Sequence, residues 1–315
     1  MITLSSDSLV LTLDPDYGGD VTSLLAHGNE LLYQSTWRDR AQRAIEDPAT
    51  RLYSDPTSSW LERYRGGWQL LCPVAGGGGA DPGAPVLFHG EASRVRWVLD
   101  SATATTASLG VDLQTATLAI RRDVEVAGAT VTVVDTVTNT GRTPCLFDYA
   151  HHLALGADLL DGECLIESGA SRFVRDWEYS GSPPVEIEVA WPPVGDVRVD
   201  IVPARPAAGF EFGWLTGFDR PWARVTNRSR GLSVSLEWSD ALPHAWVWQE
   251  LDASPGWPWF ARERVLGLEP SSTPTSGPRR ESSTRLAPGE SITIRMSVRV
   301  EVQNAGPAGQ KGTRS

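Results

Sequence analysis

Thr130–Asn139 reads TVTVVDTVTN, the clearest strand signal in the chain. β-Branched residues fill most positions, and apolar side chains alternate with polar ones, the period-2 pattern of a half-buried strand. The same pattern extends outward to residues 116–126, 92–99 and 9–13 (LVLTL) on one side. On the other side it gives β candidates at 197–202, 209–215, 222–226, 231–238, 245–251 and 291–302. Asn139-Thr140-Gly141 and Pro288-Gly289 punctuate them as turns. A helical period is nearly absent, and the polar stretch 36–46 is the best helix candidate. Many short strands in a chain of 315 residues predict an all-β protein, a large antiparallel β-sandwich. The strands continue to position 302 without a linker, so one domain over 1–302 is expected, with a flexible C-terminal tail at 303–315. Residues 51–85 and 270–288 read as non-strand regions; a loop as long as the first is usually functional in a compact domain.

Composition narrows the function. The balance of 39 acidic against 28 basic residues gives a net charge of −11, a poor match to a nucleic-acid partner. Lys311 is the only lysine and lies in the expected tail, which argues against Schiff-base and lysine general-base chemistry. No apolar run approaches the roughly 20 residues of a membrane span, and no signal peptide is visible. Cys72, Cys145 and Cys164 are sparse, odd in number and without a CxxC pair. They read as buried structural thiols in a reducing, cytoplasmic location, with no zinc ribbon or redox motif. Nothing in the sequence speaks to oligomeric state.

Candidate chemistry gathers at a few places. His151 and His152 are adjacent in an apolar stretch. Neighbours on a strand point to opposite faces, so one is expected to line a site and the other to pack. His89 follows the glycine run 76–79 in LFHGEAS, where loop glycine permits close approach of backbone to ligand. That run lacks a following GK[ST] and is not a phosphate loop. Glu269 ends the apolar run VLGLE before Pro270, a costly place for a carboxylate unless it is paired or used. Burial would lift it toward a general base's working range. Thirteen tryptophans are many for this length, and four lie between positions 246 and 259. Aromatic faces stack on the CH faces of sugars, and acids and histidines bond the hydroxyls. Together these point to a small-molecule sugar as partner.

Taken in order, these segments resemble the aldose 1-epimerase (galactose mutarotase-like) superfamily. Residues 65–73 (RGGWQLLCP), then His89-Gly90 and Trp97, look like its RGG…P…G…HG segment. Residues 150–156 (AHHLALG) are similar to its GHHPAFG or HPYF-type strand, with Leu153 and Leu155 in place of the proline and phenylalanine. Trp248-Gln249-Glu250, Gly256-Trp257-Pro258-Trp259 and Glu269-Pro270 match its closing W-x-E, G-x-P-W and EP elements. The resemblance covers roughly residues 1–302 and implies the galactose mutarotase-like supersandwich. It also implies an isomerase, interconverting α and β anomers without metal or other cofactor. His152 then takes the place of the family's acid and Glu269 of its base, while Arg65, His89 and Trp248 fall on its sugar-binding positions.

Other readings stay open. A non-catalytic carbohydrate-binding protein would keep the groove without the chemistry. A hydrolase or lyase on a similar sandwich would want two carboxylates, and Glu250 with Glu269 is the pair to nominate. A sugar-phosphate epimerase would draw on Arg63 and Arg65, against the acidic balance and with Ser93 where many sugar-phosphate relatives carry arginine.

Overall fold

A computed structural model describes residues 1–77, 87–176, 188–195, 197–274 and 284–302. Two large antiparallel sheets dominate, one of eleven strands and one of nine among the described residues. The nine-stranded sheet holds the opening motif: Thr130–Asn139 pairs with Leu118–Ala127 on one side and Ser291–Val302 on the other. The hairpin between the first two turns through Gly128 at φ +54°, the positive φ that a two-residue hairpin loop demands. Val131, Val133 and Val137 point inward with Leu118, Ile120, Val124 and Val126, and meet the inner face of the other sheet in one apolar core.

The alternation breaks usefully at one point. Arg122 and Asp135 are cross-strand partners that occupy inward positions of the same pattern. Arg122 forms a bidentate pair with Asp135 at 2.8 and 2.7 Å and lies 5.2 Å over the Trp97 ring. The Tyr149 hydroxyl donates to Asp135, and the same oxygen is 3.3 Å from His151 Nε2. Trp68 Nε1–H donates to His151 Nδ1 at 3.1 Å. A fully buried polar chain thus crosses the sandwich and reaches the inner side of the eleven-stranded sheet.

In that sheet, Asp20–Ala26, Trp68–Leu71, Ala150–Leu155, Arg264–Ser271, His244–Leu251 and Gly209–Thr216 lie side by side in that order. Their inner face joins the core. Their outer face carries a second apolar cluster that includes Leu71, Ala150, Ala154, Phe212, Trp246, Trp248 and Val265.

Several expectations need correction. Residues 51–85 are not all loop, because Trp68–Leu71 is a central strand and Pro56–Leu61 a short helix. Trp68–Leu71 is buried on both faces, so it shows no alternation to read. The strand expected at 92–99 begins only at Val98, since the chain before it turns through His89 and Gly90, both at positive φ. The 197–202 candidate shrinks to Ile201–Val202, and Asp20–Ala26, Thr106–Asp112, Cys164–Ser168 and Arg172–Arg175 are strands that the pattern did not disclose. The helix expected at 36–46 is Arg38–Glu46. The three cysteines are free and buried. The tail at 303–315, Lys311 included, lies outside the described residues, as do Gly78 and Gly79 of the glycine run.

Gly66 shows why the RGG element needs glycine. Its φ is +86°, and a Cβ there would sit 2.1 Å from the Tyr33 carbonyl oxygen. Gly66→Ala is expected to destabilise the fold by more than about 1 kcal/mol, because both the conformation and the backbone contact forbid the methyl. Denaturant titration of the variant checks this, and an unchanged midpoint would refute it.

Candidate active site

The sheet register assembles the site. Ala150 pairs with Ser271 and Leu153 with Leu268, which brings His152 opposite Glu269. Trp246 is the partner of Glu269 on the next strand, and Gln69 is the partner of His152 on the strand at its other side. Gln69, His152, Glu269 and Trp246 therefore form one row on the outer face. His152 Nε2 lies 3.7 Å from Glu269 Oε1, close enough to share one bound group. Gly267 makes room for that carboxylate, since a Cβ at this position would fall 2.4 Å from Glu269 Oε1. His151 turns the other way, into the core chain described above.

Loops and a helix wall the row. Thr57, Trp60, Leu61, Phe88, His89, Phe212, Trp248 and Trp259 line a cavity with His152, Trp246 and Glu269. Asp55 and Pro56 start the Pro56–Leu61 helix: the Asp55 carboxylate accepts from Ser58 N–H at 2.8 Å, and proline takes the first turn. That helix carries Trp60 to 4.5 Å from the His89 ring and 5.6 Å from the His152 ring. The His89 ring is 5.4 Å from that of His152. His89 Nδ1 accepts from Gly76 N–H at 3.0 Å, so a neutral His89 carries its proton on Nε2. Trp248 stands 6.0 Å from His152 and 5.2 Å from Trp259.

Of the five residues singled out in the sequence, His89, His152, Trp248 and Glu269 meet in this cavity. Arg65 does not line it. Its guanidinium bonds Asp14 at 2.7 Å and Gln42 at 2.8 Å, with Asp20 at 3.6 Å, in a buried cluster beside the row. Glu250 is also engaged elsewhere: one oxygen accepts from the N–H groups of Ala253 and Ser254 at 2.9 Å each. Sequence reasoning missed Thr57, Trp60, Leu61, Phe88 and Phe212 as lining residues. The Asp55-Pro56 pair was the available signal for the helix that brings three of them.

The row is buried. Burial pulls His152 down to about 4 and pushes Glu269 well above the usual carboxylate range. Glu269 Oε2 and His152 Nδ1 are buried without a hydrogen-bond partner among the described residues. Both shifts favour a neutral pair, with the carboxyl protonated and the imidazole uncharged. Among the described residues, no group of three or more His, Cys, Asp or Glu side chains could hold a metal ion.

A family model described as a domain of unknown function (DUF4432) matches residues 1–300. No curated protein matches the chain. Among solved structures, Slr1438 from Synechocystis sp. PCC 6803 superposes with a TM-score of 0.71 at 18% identity, covering 96% of each chain. A galactose mutarotase-like protein from Clostridium acetobutylicum gives 0.68 at 14% identity, over 96% of this chain and 95% of that one. The GalM/aldose epimerase homologue from C. elegans gives 0.65 at 16% identity, over 96% and 99%. The sandwich is that of the galactose mutarotase-like fold.

Proposed function

The chain belongs to the DUF4432 family and carries the galactose mutarotase-like fold, and from that premise we propose that it is an aldose 1-epimerase. The observation that carries this reading is the buried His152–Glu269 pair, 3.7 Å apart on the floor of an aromatic cavity.

In ring opening, Glu269 takes the proton from the C1 hydroxyl of a cyclic aldose. The C1–O5 bond breaks as the carbonyl forms, and His152 gives its proton to O5. Rotation about C1–C2 and closure by the reverse steps yield the other anomer. The pair enters as carboxylate and imidazolium and stands as carboxylic acid and imidazole over the open chain. Burial favours the second arrangement and mutual attraction the first. Trp60, Trp248 and Trp259 offer faces for the sugar's CH surfaces, with His89 beside them in the cavity wall. No Arg or Lys is among the described lining residues, which favours an unphosphorylated aldose.

Polarimetry from pure anomers across a panel of aldoses and their phosphates tests the reading. It expects accelerated mutarotation of at least one free sugar, and a protein inert on the whole panel would refute it. The pH profile is a second test. Below the lower limb both groups hold protons and no base remains; above the upper limb both are bare and no acid remains. Because burial lowers His152 to about 4 and raises Glu269, the acid limb should lie near that value and the alkaline limb above the usual carboxylate range. The plateau should extend above the ordinary carboxylate value. An alkaline limb no higher than that value, about 4.3, would contradict the buried pair.

A further inference from the structure

The row on the outer face does not end at His152. Asp20, Gln69 and His152 follow one another across three adjacent strands, all at least nine-tenths buried. Gln69 Nε2 donates to Asp20 Oδ2 at 2.8 Å, which sets the orientation of the amide. Asp20 is seated by Gly18, at φ +75°, whose Cβ would lie 2.3 Å from Asp20 Oδ1. Gln69 Oε1 and His152 Nδ1 are both buried without a hydrogen-bond partner among the described residues, as are Asp20 Oδ1 and Arg65 Nη2 at the far end of the row. Gln69 and His152 are directly opposed residues of an antiparallel pair, whose side chains share a face and start roughly 4.5–5.5 Å apart.

We propose that Gln69, held by Asp20, is a positioning residue that keeps a proton on Nδ1 of His152, directly or through one water. The inference rests on the acid–base role given to His152. With Nδ1 bare, two buried acceptors on opposed residues would stay unpartnered, each costing about 1–3 kcal/mol. A proton on Nδ1 satisfies both. It also leaves Nε2, the nitrogen 3.7 Å from Glu269, as the atom that exchanges protons. The amide, polarised by Asp20 behind it, stabilises the imidazolium and offsets part of the burial that drives His152 toward neutrality. Gln69 touches no reacting atom in this scheme and acts only through the imidazole.

The test is a long-range ¹H–¹⁵N spectrum of histidine-labelled protein near neutral pH, with the His152 signals assigned through His152→Gln. Wild type should carry a proton on Nδ1. In Gln69→Met the population should move to the Nε2–H form, with kcat lower by about 10- to 100-fold, the loss typical of outer-shell partners, and KM within about twofold. A bare Nδ1 in wild type, as when a water donates to both acceptors, would overturn the proposal. So would a Gln69→Met spectrum unchanged at His152. If Gln69→Met does not fold, Asp20→Ala decides: with its acceptor gone the Gln69 amide is released, which should reduce the Nδ1–H population, and no change refutes the assignment. A protein that turns over no aldose would remove the epimerase reading, while the tautomer measurement would still stand or fall by itself.

Discussion

Glu269→Gln should fold normally, bind sugar and lose mutarotation by about 10²-fold or more, the low end of what one general base contributes. The amide keeps the size of the carboxyl and its place over Gly267 but takes up no proton near neutral pH. Folding should survive because burial already drives Glu269 toward its neutral form, so the substitution removes no stabilising charge. His152 keeps a polar neighbour, and the aromatic wall is untouched. Polarimetry from a pure anomer gives the rate, and saturation-transfer NMR gives the binding. A fully active Glu269→Gln would remove this residue from the mechanism. Glu250 would be a poor successor, since backbone N–H groups of the Ala253–Ser254 turn already bond its carboxylate.

The second large effect lies in the core and concerns stability. Arg122→Met should destabilise the protein by about 3–5 kcal/mol, the range for stripping one partner from a buried ion pair. Arg122 and Asp135 are 2% and 0% exposed, so the orphaned carboxylate gains no solvent in exchange. For a chain of this size the melting temperature should fall on the order of 10 °C. The sign with pH is specific. Burial alone would raise Asp135, but Arg122 outweighs it and holds the carboxyl below its ordinary range. The wild type therefore loses this contribution as pH falls through the folded value. Without Arg122 burial wins and the Asp135 value rises, so the variant's deficit should shrink as pH is lowered toward the carboxylate range. Arg122→Met combined with Asp135→Leu should recover most of the loss. A single variant as stable as wild type would show that the pair contributes little.

The same pair illustrates how far the sequence reads. TVTVVDTVTN announces a half-buried strand because its period of two matches the pleat, and that period survives in any tertiary context. Asp135 looks like an interruption there. Only the partner strand, with Arg122 in register, turns it into a buried anchor for Tyr149 and the inner side of the histidine strand. Strands buried on both faces were hidden for the opposite reason. Trp68–Leu71 has no alternation to detect, so its place at the centre of the site-bearing sheet was invisible.

The candidate site divides in the same way. His89, Glu269, the His151–His152 pair and the tryptophans between 246 and 259 could be named from the sequence because their residue types are costly or unusual in their surroundings. The choice of His152 and Trp248 among them came from the family resemblance, which also ordered them. The opposite pleats of His151 and His152 followed from strand geometry alone. Arg65 could not be placed that way. An arginine beside two glycines reads equally as a ligand clamp or an ion-pair anchor, and the choice depends on Asp14, Asp20 and Gln42, which are distant in the chain. The β architecture and the chemical types at the site were legible without coordinates, since pattern and composition act locally. The 3.7 Å approach of His152 and Glu269, which the resemblance implied only as roles, the aromatic wall from the Trp60 helix and the Gln69–Asp20 support came from the folded chain. Those depend on register and burial, and it is burial that sets the protonation of the pair.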